Sequence, residues 1–224
     1  MKKIFTLLSA LGILYSCSKE TEVVKYPYQL TFDAIEPVSE MRFFIGETEL
    51  DPKYHEETLQ GFLDRLYSEK TNTGYRYYQS KFTEQDPDWF ADSYFTFDGK
   101  DIIQFSALSE ISNINQVGET TVLKSSATNK VTDDPIVKSD LFKYDIDINS
   151  NGTYNIQFIV RNQEHALEVS RLYYKLVRYD ENGNRKQLSF GTISNEFNES
   201  FIKTLTERDT LAIKEYRLKY SMKQ

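Results

Sequence analysis

A mainly β protein is expected from three observations: 16 Tyr and 15 Phe that sit mostly in short alternating runs, Asn, Asp and Gly residues that bound those runs, and two consecutive hairpin patterns near the carboxyl end. The expected architecture is a C-terminal antiparallel β-sandwich over residues 140–224. A smaller β-rich α+β domain with one helix precedes it over residues 26–123, and a polar linker at 124–139 joins the two.

In the amino-terminal half, Tyr28-Gln29-Leu30-Thr31-Phe32 and Arg42-Phe43-Phe44-Ile45 read as strands. One helix follows, with Asp51 as its N-cap and Pro52 at the first helical position. Leu59, Phe62, Leu63, Leu66 and Tyr67 then fall on one face at helical spacing, and Thr71-Asn72-Thr73-Gly74 ends the helix. Beyond Asp86-Pro87-Asp88 the strands resume, with Tyr94 to Phe97, the turn Asp98-Gly99-Lys100 and Ile102 to Phe105 forming a hairpin. The stretch from Lys124 to Pro135 is polar, nearly free of large apolar side chains and closed by proline, as a linker or long loop is.

The carboxyl-terminal half carries the strongest periodicity. Phe142, Tyr144, Ile146 and Ile148 alternate with polar residues, Ser150-Asn151-Gly152 turns the chain, and Tyr154, Ile156, Phe158 and Val160 alternate again, so the two runs predict a hairpin. A second hairpin is predicted from Leu172–Tyr179 and Arg185–Ile193 around Asp180-Glu181-Asn182-Gly183-Asn184, with Asn182-Gly183 supplying two positive φ angles for a type I′ turn. Tyr216, Leu218, Tyr220 and Met222 make a terminal strand. Five or six strands in this span suggest a sandwich of immunoglobulin-like or fibronectin-like shape.

The first twenty residues follow a different logic. Met1-Lys2-Lys3 is a basic head, and Ile4 to Tyr15 is an uncharged apolar run that ends at Ser16-Cys17. As a helix that run reaches about 18 Å at ~1.5 Å per residue, short of a ~30 Å hydrocarbon core, so it reads as an export signal at residues 1–16. Leu14-Tyr15-Ser16-Cys17 resembles the lipobox of bacterial lipoproteins, with Tyr15 as the departure from the usual small residue. The resemblance implies cleavage before Cys17, acylation of that residue and attachment to a membrane through the lipid. Two or three acyl chains, at ~0.8 kcal/mol per buried CH₂, hold a protein firmly. Cys17 is the chain's single cysteine, so the mature protein has no thiol for disulfide, metal or redox chemistry. Residues 17–25 read as the lipidated cysteine and tether. Within them Ser18-Lys19-Glu20-Thr21-Glu22 is similar to the acidic tag of Bacteroidota surface lipoproteins, which favours the cell surface over the periplasmic face of the outer membrane.

Loss of Lys2 and Lys3 moves the net charge from −7 to −9. A chain of that sign is a poor partner for nucleic acid, whose binding rests on Lys and Arg displacing counterions. The two histidines, His55 and His165, lie among acids and amides without a Gly-x-Ser-x-Gly elbow, so no catalytic constellation is visible. Asp147-Ile148-Asn149-Ser150-Asn151-Gly152 matches the first half of a calcium-loop pattern and makes Asp147, Asn149 and Asn151 candidate ligands, but Phe158 stands where a bidentate Glu belongs. A hairpin turn explains the same residues. Tyr77, Trp89 and Phe90, with Tyr75 and Tyr78, offer an aromatic surface for a sugar or peptide, against the alternative that they fill a core. Asp209-Thr210-Leu211 resembles the tripeptide that Bacteroidota glycosylate, with Thr210 as acceptor.

No cofactor is implied. The expected role is a non-catalytic interaction or accessory subunit of an envelope assembly, with an outer-membrane protein as partner. The alternative is a surface lipoprotein that captures a glycan, peptide or haem for an uptake system, with His55 and His165 the only histidine pair possible for haem.

Overall fold

The computed structural model describes residues 25–64, 90–99, 101–106, 109–131, 135–163 and 166–222. Among them lie strands β1 (Tyr28–Pro37), β2 (Arg42–Ile45), β3 (Thr48–Leu50), β4 (Tyr94–Asp98), β5 (Asp101–Phe105), β6 (Ser109–Val117) and β7 (Thr120–Lys130). Then follow β8 (Thr153–Gln163), β9 (Ala166–Tyr179), β10 (Arg185–Ile193) and β11 (Thr210–Ser221). One short helix, α1 (Glu56–Asp64), and 3₁₀ turns at Pro135–Lys138 and Glu199–Thr204 complete the described elements.

The strands run β10-β9-β8-β7-β6-β5-β4-β1-β11-β2-β3 through one antiparallel sheet, and β9 also pairs with β11. That extra pairing closes eight strands into a barrel, which corrects the expected sandwich. The physical reason is the length of two strands: β11 is bonded to β9 throughout, from Thr210↔Val177 to Ser221↔Ala166. Near Ser221 this ribbon is flanked by β1 and β8, which close the barrel. Near Thr210 it is flanked by β2 and β10, which make an open extension of the same sheet. Closure also joins distant parts of the chain, since Thr31 in β1 lies opposite Ser221 in β11.

The barrel interior is filled by side chains. Leu30, Phe95, Phe97, Leu123, Val160, Leu167, Val169, Leu218 and Tyr220 are all buried in one cluster. Phe95 lies 5.0 Å from Tyr220 and 4.7 Å from Phe105, and Phe105 lies 4.4 Å from Phe158, ring centre to ring centre. Alternation places Arg161, Glu168, Arg217 and Lys219 on the outer wall, where Lys219 pairs with Glu36 at 2.8 Å. Apolar inside and charged outside is the reverse of a barrel that spans a membrane.

The extension buries both its faces. On one, Phe44, Leu172, Tyr174 and Leu176 pack against Leu141, Phe142, Phe197 and Phe201 from the intervening loops. On the other, Leu59, Phe62 and Leu63 of α1 cover Phe43, Tyr173, Val177, Ala212 and Tyr216. At ~1.5–3 kcal/mol per fully buried large apolar side chain, those three helical residues suffice to hold a nine-residue helix that is marginal alone.

Other expectations change in detail. The helix begins at Glu56, because Asp51 Oδ1 accepts the Lys53 amide and closes a separate turn first. Leu66 and Tyr67 lie outside the described residues. Residues 124–130, expected in a linker, are the second half of β7, bonded to β8 up to Lys130↔Thr153. Strands from both sides of 124–139 therefore share one sheet. The run from Phe142 to Ile148 is not a strand but makes only the bridges Phe142↔Phe197 and Ile148↔Tyr154, because its backbone is tied instead to the 195–198 segment, with the Lys143 amide on Glu196 O and the Tyr144 amide on Asn195 Oδ1. The β9–β10 hairpin forms with a different turn: the Gly183 amide bonds to Asp180 O at 3.0 Å, and Gly183 alone in the loop has positive φ, at 82°. This is a type I turn closed by a left-handed glycine, with one more residue than a type I′ connection holds.

Candidate functional site

The sequence-predicted residues do not converge. Cys17, Tyr77, Trp89 and His165 lie outside the described residues, and Phe90 is half-buried between Phe32, at 6.0 Å, and the Arg171 guanidinium, at 5.4 Å. His55 is exposed at the start of α1, where its carbonyl accepts the Leu59 amide. Asp147, Asn149 and Asn151 are exposed, but their polar groups are engaged locally. Asn151 Oδ1 accepts from the amide and hydroxyl of Thr153, Asn149 Nδ2 donates to Thr153 and Asn155, and Asp147 pairs with Lys124. Among the described residues no three His, Cys, Asp or Glu side chains come together as a metal site. Thr210 is half-buried at the head of β11, between β2 and β9.

Sequence reading missed the main ionic cluster, which gathers residues from five separate segments. Glu196, 5% exposed, accepts at Oε1 from Arg161 at 2.5 Å, Ser170 at 2.9 Å and Arg217 at 3.4 Å, and at Oε2 from Lys143 at 2.8 Å. Burial pushes its carboxyl up, but the hydrogen bonds from Lys143, Arg161 and Ser170 outweigh that and hold it at about 2. An acid this strong, with both oxygens engaged, stays ionised near neutral pH and has no proton to give. It clamps the 194–197 and 143–144 segments to the barrel wall. Nothing in the sequence spacing of 143, 161, 170, 196 and 217 points to the cluster.

Two further buried charges are also structural. Asp209, fully buried, accepts from Arg178 Nε at 3.0 Å, the Tyr179 amide at 3.0 Å and the Thr206 amide at 2.9 Å. Lys175, 3% exposed, donates to the carbonyls of Phe62 and Leu63 at 2.7 and 2.9 Å, so it caps the carboxyl end of α1. A lone lysine inside Leu172-Tyr173-Tyr174-Lys175-Leu176-Val177 was a visible signal for a buried cation. At the β9–β10 hairpin tip a shallow groove of about 910 Å³ is lined by Tyr179, Asp180, Glu181, Lys186, Glu207 and Arg208 among others, with charges of both signs.

The remaining feature is a seam in the barrel wall. β5 and β6 pair only at Gln104↔Glu110 and Phe105↔Ser109, next to their connecting loop. Below these pairs the strands diverge, and each carries a bulge against its other neighbour there, at Ile103 of β5 opposite Thr96/Phe97 and at Ser112 of β6 opposite Lys124/Ser125. Bulges bend a strand and raise its twist. The backbone of Ile111–Val117 bonds to β7 on one side and to no described residue on the other. Ile114 lies across from wholly buried Leu123, hence on the inward face of the β6–β7 hairpin, yet it is 44% exposed. Ile103 of β5 and Val117 of β6 are exposed as well. Compared with known families, curated proteins and solved structures, the chain matches none.

Proposed function

We propose that this chain is a lipid-anchored outer-membrane lipoprotein, held through Cys17, that serves as a non-catalytic interaction or accessory subunit of an envelope assembly. The single observation that carries the interaction reading is the β5–β6 seam, where a strand edge bonded to no described residue and exposed aliphatic side chains offer a surface for another protein. Two others agree with it: the barrel is packed solid with aromatic rings, and the buried charged groups Glu196, Asp209 and Lys175 are each committed to holding the fold. The anchor rests on the basic head, apolar core and lipobox-like sequence, and the acidic residues after Cys17 favour the cell surface.

The test is a mild-detergent pull-down of the tagged protein from its native membranes, with Cys17→Ala as control. Recovery of an outer-membrane protein in stoichiometric amount, together with loss of the Cys17→Ala chain from the membrane fraction, is the expected result. A wild-type chain that fractionates as soluble protein refutes the anchor, and recovery of the membrane-bound chain alone refutes the subunit role.

A further inference from the structure

We propose that the β5–β6 seam takes an extended, basic segment of a partner protein as an added β-strand, bonded along Ile111–Val117 of β6. The inference rests on the subunit reading and specifies the chemistry of the partner.

The seam has the three properties that strand addition requires. The first is a free ladder: β6 is a nine-residue strand, and among the described residues its last seven bond to β7 on one edge only. Every second residue of an antiparallel strand turns its amide and carbonyl to one side, so about half of these backbone groups face the seam. Seven residues at ~3.4 Å each present an edge of about 24 Å, long enough for a strand of ordinary length. The second is a foothold for side chains. Ile114 looks inward at the opening, while Val117, opposite Thr120, lies on the outward face of the same strand, so each face of an added strand meets an exposed aliphatic side chain.

The third property is charge, and it decides the occupant. The charged residues of β5, β6 and the turns at their ends are the exposed acids Asp98, Asp101, Glu110 and Glu119 against the single base Lys100, a net charge of −3. A second copy of this chain brings the same acidic seam and is repelled. An extended segment that alternates Lys or Arg with aliphatic residues meets complementary charge and loses it as salt screens the contact.

The experiment uses the full mature chain in detergent, with a ten-residue peptide alternating lysine and valine as probe and its glutamate–valine counterpart as control. Amide hydrogen exchange is the readout. The lysine peptide is expected to slow exchange across Ile111–Val117 at least tenfold, to leave the β10 edge at Arg185–Ile193 unchanged, and to lose this effect in high salt. The glutamate peptide is expected to do nothing. In the double variant Asp101→Lys, Glu110→Lys the preference should invert, which shows that the protein still folds and that the rim selects. Slow exchange at 111–117 without peptide, protection elsewhere, or an unchanged preference in the double variant overturns the proposal. The same variant in the membrane pull-down separates the two readings. If wild type and variant both retain the partner, the seam is wrong and the subunit role stands; if wild type recovers none, the subunit role falls whatever the peptide does.

Discussion

At the scale of single residues, the buried carboxylates carry the largest consequences. Glu196 is ionised against four donors, and its pKa of about 2 lies below the ordinary 4.5. A depressed carboxyl contributes stability that is complete above its unfolded value and disappears as pH falls through the folded one. Chemical denaturation followed from pH 7 downward should therefore show a loss between about 4.5 and about 2, and Glu196→Gln should remove that part of the acid dependence. The same variant leaves Arg161, Arg217 and Lys143 without their shared anion, and breaking such a cluster costs roughly 3 kcal/mol or more near neutral pH. Asp209→Asn tests a different geometry. One amide oxygen replaces two carboxylate oxygens that now serve Arg178, Tyr179 and Thr206, so an expected loss of about 3 kcal/mol should appear in the same denaturation curves. Neither role was legible in the sequence. An acid inside Asn195-Glu196-Phe197 has no periodicity to betray burial, and its partners lie up to 53 positions away.

At the scale of elements, legibility followed the alternation of apolar residues. β1, the β4–β5 hairpin, β8 and the Tyr216–Met222 end of β11 were readable because alternate residues face a core, and β2 and the Leu172–Tyr179 part of β9 as apolar runs buried on both faces, with β10 following from the turn before it. β6, with sequence Ser-Glu-Ile-Ser-Asn-Ile-Asn-Gln-Val, and the second half of β7 were not, since both are largely exposed and are strands by pairing rather than by burial. The run from Phe142 to Ile148 failed in the opposite way: it has the alternation, but its backbone bonds to the 195–198 segment and meets β8 only at Ile148↔Tyr154. Periodicity states which side of a segment is apolar, and it is silent on whether a partner edge is open. The β9–β10 turn gives a test at this scale. Gly183, at φ 82°, allows the loop to close, and a side chain there would also press on the Arg208 guanidinium, 2.8 Å from the position of its Cβ. Gly183→Ala should lower stability by about 1–2 kcal/mol through left-handed strain, whereas Asn182→Ala, at negative φ, should cost well under 1 kcal/mol by thermal melting.

At the scale of the whole molecule, the two parts share their longest strands. β9 contributes Leu167 and Val169 to the barrel core, Leu172, Tyr174 and Leu176 to one face of the extension, and Tyr173 and Val177 to the face under α1. β11 does the same with Leu218 and Tyr220, then Leu211 and Ile213, then Ala212 and Tyr216. A strand that passes through all three cores couples them, because melting any one exposes backbone that the others need paired. Residues 140–224 keep β8 to β11 but lose β1 and β4 to β7, which leaves Val160, Val169, Leu218 and Tyr220 without Leu30, Phe95, Phe97 and Leu123 opposite. They also lose α1, whose three buried side chains cover Tyr173 and Tyr216. The fragment should therefore remain unfolded, with collapsed amide dispersion in its NMR spectrum, while the mature chain unfolds in one transition by circular dichroism and by tyrosine fluorescence alike. A fragment with dispersed amides and a cooperative melt of its own would mean that the β9–β11 ribbon stands without the barrel, and that the barrel closes around a preformed sheet.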